Sequence, residues 1–153
     1  MTVLLDTNVL TRLAQHTHPL HATARDAVAA LEGSGETLQT VTQNFYEFWV
    51  VATRPVAANG LGMSASEASV ELARLQALFP MLPDAPALFV EWRKLVTTHS
   101  VLGKNAHDAR LVAAMACHGI THLLTFNAQD FSRYPGLTLL DPAAVATSRP
   151  GTP

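Results

Sequence analysis

The chain has a single cysteine, Cys117, in 153 residues. One thiol excludes a disulfide framework within the chain and fits a reducing compartment. No apolar run approaches the roughly 20 residues that a membrane-spanning helix needs. Only Val3, Leu4 and Leu5 precede Asp6 as strongly apolar residues, too few for a secretory signal, so the cytoplasm is the expected location. Charge is scarce: 14% of residues are charged against 48% hydrophobic, the balance of a chain that buries a core rather than staying disordered. Basic residues are outnumbered, ten Lys and Arg against twelve Asp and Glu, for a net charge of −2. That excludes a global basic field. A nucleic-acid partner would have to be gripped by a local patch. Metal-ligand spacing in Cys and His is also missing. His16, His18 and His21 cluster around Pro19, but no second pair accompanies them, so a surface loop is expected rather than a zinc site.

What is present is an alternation of short apolar runs with longer amphipathic ones. Strands are expected at 2–6, 37–41, 81–83, 121–126 and 137–141. Helices are expected from Thr7 to Gln15, from Pro19 to about Leu31 and from Gln43 to Thr53, then from the Ser64 capping box to Phe79, over 86–98, and up to His118. Thr42 and Asn105 are expected to cap the third and the sixth of these helices, and Gly119 to close the sixth. There is no internal repeat and no domain-scale linker. One α/β domain is therefore expected over 1–145, with a parallel sheet covered on both faces, followed by a disordered tail over 146–153.

Polar groups interrupt these apolar runs at element ends. They are Asp6 in LLDTN, Glu47 in NFYEFW, Asp108 in AHDARL and Asn127 in LLTFNAQDF, with Asp130 three residues on. Such groups are costly to bury unless paired, hydrogen-bonded or bound to an ion. Ligands of open α/β sheets bind beyond the carboxyl ends of the strands, where Asp6 and Asn127 fall. Carboxylates gathered there without Cys or His suit a hard divalent cation such as Mg or Mn. Each has an ordinary alternative as well. Asp6 can cap a helix, Asp108 can sit favourably in a first turn, Glu47 can pair with Arg54, and Asn127 and Asp130 are common turn residues. Glu47 shares its helix with an apolar stripe of Phe45, Phe48, Trp49 and Ala52, for which core packing is the ordinary fate. Cys117 reads as core.

In order, VLLDTNVL, NFYEFWVVATRP, HDARLVAAMACHG and THLLTFNAQDF resemble the successive motifs of PIN domains, in particular the VapC-type ribonuclease toxins of toxin–antitoxin pairs. The resemblance runs from Met1 to about Pro142. It implies a three-layer α/β/α sandwich with a central parallel sheet and a site that uses Mg or Mn. It also implies cleavage of RNA, a cognate antitoxin and a homodimer. By position, Asp6, Glu47 and Asp108 match the family's three best-marked acids and its metal ligands. Asn127 stands where a fourth acid is common, and Asp130 is the candidate to replace that carboxylate. Asn8 and Thr125 match supporting positions. Arg12, Arg54 and Lys104 are candidates to grip RNA, whereas Arg110 and Arg133 read as solvated charges. Two further readings stand beside the toxin. One is a PIN-like interaction module with little or no catalysis; the other is an RNA-processing nuclease without an antitoxin. A faint likeness of Asp6-Thr7-Asn8 to aspartate-nucleophile phosphatases lacks the second Asp at position 8.

Overall fold

Residues 1–148 are described by the computed structural model. Five short strands form one fully parallel sheet: β1 (Thr2–Leu5), β2 (Thr37–Val41), β3 (Met81–Leu82), β4 (His122–Leu124) and β5 (Thr138–Leu140). Their order is β3-β2-β1-β4-β5. The register sets Leu4 opposite both Gln39 and Leu123, and Leu5 opposite Leu124. Helices α1 (Thr7–Ala14), α2 (His21–Gly33), α3 (Thr42–Thr53) and α4 (Ala65–Leu78) precede β3 or follow β1 and β2. Helices α5 (Leu88–Thr98), α6 (Asn105–Cys117) and α7 (Pro142–Thr147) complete the layers. This is the α/β/α sandwich expected from the alternation of strands and helices.

Strand pleating divides the core. Val3, Leu5, Leu38 and Leu124 pack with α1 to α4 on one face, and Leu140 and Val145 lie against them. Leu4, Val41 and Leu123 point to the other face, against Leu88 of α5 and Leu111, Val112 and Met115 of α6. Successive side chains of a strand alternate between faces, so a central strand must be apolar at every position. After the half-buried Thr2, β1 satisfies this; Val3, Leu4 and Leu5 are wholly buried.

Several local expectations are corrected. Thr42 does not cap α3; it is the first helical residue, and its hydroxyl donates to Asp84. Asn44 closes that turn instead, accepting from the Val41 N–H at 2.8 Å. Asn105 likewise begins α6, whose preceding residue, Lys104, offers no side-chain cap. By contrast, Ser64 and Glu67 do form the capping box of α4, and Gly119 closes α6 at φ 67°. Trp49 leaves the core. Phe45, Phe48 and Ala52 are buried, but Trp49 is 37% exposed and lines an apolar cleft of about 550 Å³ with Phe45, Tyr46, Leu72 and Met81. Residues 146 and 147, expected in the tail, belong to α7, and 149–153 lie outside the described residues. No helix among the described residues is long and apolar enough to cross a membrane.

Candidate active site

The strand order changes direction between β1 and β4: chain connections run to one side of β1 up to β3, then cross to β4. Such a switch point leaves a crevice beyond the strand ends. The residues that leave those two strands are Asp6 and Thr125, and they meet. The Thr125 hydroxyl donates to Asp6 Oδ2 at 2.7 Å, and the Asp6 N–H bonds to the Leu124 carbonyl at 2.9 Å. Asn8 Nδ2 donates to the same Oδ2 at 3.2 Å and to Thr125 Oγ1 at 3.2 Å. Asp6 Oδ1 accepts from the Thr7 N–H at 2.7 Å, so the side chain also caps α1.

Glu47 reaches the same place from α3. Its Oε2 accepts from the Thr7 hydroxyl at 2.8 Å, and its Oε1 from Gln43 Nε2 at 2.6 Å. The alternative pairing with Arg54 is not made; Arg54 turns its Nη2 to the Asn59 carbonyl at 3.2 Å. Asp108 stands in the first turn of α6. Asp6, Asn8, Glu47, Asp108, Asn127 and Asp130 all line one open cleft of about 1030 Å³. Thr125 lies beneath it, wholly buried.

Two acids of this cleft are perturbed mainly by burial. Burial pushes the Asp6 carboxyl up to about 7, against the lowering by hydrogen bonds from Thr125 and Thr7; Glu47 and Asp108 add a smaller upward push. Asp108 is raised to about 6 by burial, then by Asp130 and Glu47. Among the described residues, none of these four acids forms an ion pair. A buried carboxylate without a cationic partner is a standing cost. A bound cation would remove that cost, and the all-oxygen donor set suits a hard one. Among the described residues, no three Asp, Glu, His or Cys side chains stand close enough to enclose one metal ion.

Basic groups line the rim. Arg12, Arg54 and Lys104 all face the cleft, as does His18. Arg12 is steadied by Gln15 at 2.8 Å, and Arg54 Nε is buried with no partner. Arg110 is not the solvated charge it resembled. It bonds Gln43 Oε1 at 3.0 Å and Asp84 at 3.1 Å, away from the cleft lining. Of the histidine cluster, His16 and His18 lie in the loop between α1 and α2, whereas His21 opens α2; the rings of His16 and His21 lie 4.7 Å apart, and His21 Nδ1 meets the Arg12 carbonyl.

The family model of the PIN domain matches residues 3–137. The chain belongs to the PIN domain family. Solved structures with this fold include VapBC2 from Rickettsia felis bound to a promoter DNA fragment, at a TM-score of 0.68 and 13% identity. The match covers 92% of this chain and 98% of that one. VapBC-1 from nontypeable Haemophilus influenzae is similar at a TM-score of 0.68 and 16% identity, over 93% and 98% of the two chains. VapC20 from Mycobacterium tuberculosis, described as a sarcin-ricin loop cleaving toxin, is similar at 0.58 and 19%, over 79% and 86%. No curated protein matches the sequence.

Two residues of this PIN domain's site were not singled out by the sequence motifs. Thr7 looks like an ordinary first-turn residue, yet its hydroxyl is the link between α1 and Glu47. Gln43 is 4% exposed, and its place one helical turn before Glu47 is the available signal. His18 and His107, which also line the cleft, carry no such signal.

Proposed function

We propose that this PIN domain, spanning residues 1–145, is a metal-dependent endoribonuclease and the toxin of a toxin–antitoxin pair. The observation that supports this reading best is Asp6. It is a buried carboxylate at the switch point, raised in pKa, without an ionic partner and in one cleft with Glu47, Asp108 and Asp130. A divalent Mg or Mn ion bound there supplies positive charge to the scissile phosphate and lowers the pKa of a bound water. Asp6, Glu47 and Asp108 would hold that ion, in part through its waters, and either Asn127 or Asp130 would fill the fourth position. Thr125, Asn8 and Thr7 keep the Asp6 and Glu47 oxygens turned into the cleft by the hydrogen bonds described above. Arg12, Arg54 and Lys104 take the phosphates on either side of the bond that breaks, which leaves a 5′-phosphate. Family membership and the shared fold with VapBC toxin–antitoxin structures support an antitoxin partner and residence in the cytoplasm.

The apolar cleft along α3 and α4 supports a homodimer. Tyr46 (65% exposed), Val70 (70%) and Phe89 (65%) present large apolar surface outside the site. The second reading, an interaction module with little catalysis, draws on the neutral Asn127 and on the same apolar surface. One experiment separates the two. Total RNA is incubated with the protein in Mg or Mn, then the product ends are sequenced. Cleavage that yields 5′-phosphates, stops in EDTA and is lost in Asp6→Asn supports the nuclease. Cleavage that persists in EDTA or in Asp6→Asn refutes the mechanism, and no cleavage at all favours the module.

A further inference from the structure

Gln43 is a buried amide at the junction of two elements that each carry an acid. Its Nε2 donates to Glu47 Oε1 at 2.6 Å and to the His107 carbonyl at 2.7 Å. Its Oε1 accepts from Arg110 Nη1 at 3.0 Å. The partners settle which end is which: a guanidinium only donates and a carbonyl only accepts. All of the amide's hydrogen-bonding ends that face these neighbours are therefore used, and it cannot turn over without losing every bond. His107 directly precedes Asp108 in the first turn of α6. Gln43 thus ties α3, which carries Glu47, to the turn that carries Asp108.

The choice of an amide has a chemical consequence. A lysine at this place would donate to Glu47 just as well, but it would neutralise the carboxylate and compete with a cation. An amide orients Glu47 and leaves its charge in place. The nearby positive charge of Arg110 is held off by the carboxylate of Asp84, 3.1 Å away, which also accepts from the Thr42 hydroxyl. Asp84 thereby anchors Arg110, and Arg110 anchors the oxygen end of Gln43.

We infer that Gln43 is a positioning residue that sets the separation of Glu47 and Asp108 for a shared divalent cation, with Arg110 and Asp84 as its anchor. The inference rests on the reading of the cleft as a cation-dependent site. The test is Mn(II) binding by calorimetry to the whole chain, without RNA. Gln43→Met keeps length and packing volume but makes none of the three bonds. It should weaken Mn(II) binding about tenfold or more, the usual effect of losing a group that orients a metal ligand. A double-mutant cycle with Glu47→Gln separates positioning from general loosening. If Gln43 acts through Glu47, its replacement in the Glu47→Gln background costs about threefold or less, because coupled neighbours are not additive. An equal loss in both backgrounds overturns the inference. So does a Gln43→Met protein that binds Mn(II) as the wild type does, and that outcome leaves the nuclease reading intact. A wild type that binds no Mn(II) overturns both. Should Gln43→Met fail to fold, Gln43→Asn takes its place. It keeps an amide, one methylene too short to reach Glu47 and His107 together, and the same loss is expected.

Discussion

Asp6 sets a measurable relation between pH, metal and stability. Its carboxyl ordinarily titrates at 3.8 and in the fold at about 7. The folded chain therefore holds a proton that the unfolded chain has already released between those values, and stability falls as pH rises through this window. Linkage puts the cost at roughly 2 kcal/mol at pH 5 and roughly 4 kcal/mol at pH 8. Asp6→Asn removes the titration while keeping the shape and the acceptor for the Thr7 N–H. Relative to the variant, the metal-free wild type should lose roughly 2–3 kcal/mol between pH 5 and pH 8. For a domain of this size that is a relative fall in melting midpoint of roughly 5–10 °C. The assay is thermal melting of both proteins in EDTA at the two pH values. The steady contribution of the substituted amide cancels, because only the change with pH is read. Mn at about 100 times its dissociation constant should return about 2.7 kcal/mol to the wild type at pH 8, and less to Asp6→Asn. A wild-type-minus-variant difference that is flat with pH, or equal gains from Mn, would refute the reasoning.

The fourth position can be assigned by comparing Asp130→Ala with Asn127→Ala at several Mg concentrations. If Asp130 replaces the acid missing at 127, its loss raises the Mg needed for cleavage more than the Asn127 change does; equal and negligible effects mean that Asp6, Glu47 and Asp108 suffice. Thr125→Val should weaken Mn binding, since it removes the 2.7 Å donor that stabilises ionised Asp6, and unchanged affinity by calorimetry would count against that role. Phe48→Ala empties a wholly buried position and should cost about 3–5 kcal/mol in denaturant unfolding. Light scattering at tens of micromolar, roughly the range in which weak dimers form, should show a dimer that Tyr46→Glu, in the apolar cleft, dissociates; a monomeric wild type removes the homodimer.

The sequence by itself determined the elements up to β5, but not α7. β2 runs over the same residues, Thr37–Val41, in both the pattern and the structure, and β1, β4 and β5 differ only at their ends. Strand alternation, the Ser64–Glu67 capping box and the Gly119 stop act over four residues or fewer, so a linear pattern carries them. The same locality makes Asp6, Glu47 and Asp108 visible as polar breaks in apolar runs. Tertiary structure alone decided which groups those acids meet. Glu47 is 40 residues from its donor Thr7, Asp6 is 119 from Thr125, and Gln43 is 64 from the His107 carbonyl. None of these separations leaves a period in the sequence. Thr42 and Asn105 show the converse: both have the chemistry of a cap, yet Thr42 bonds to a distant side chain and Asn105 begins the helix instead. Trp49 was drawn to the core by its apolar neighbours. It stays on the rim because the described chain puts no element over the cleft between α3 and α4. A local pattern names what a residue is suited to do, and the fold selects among those uses by what it brings within hydrogen-bonding or packing distance.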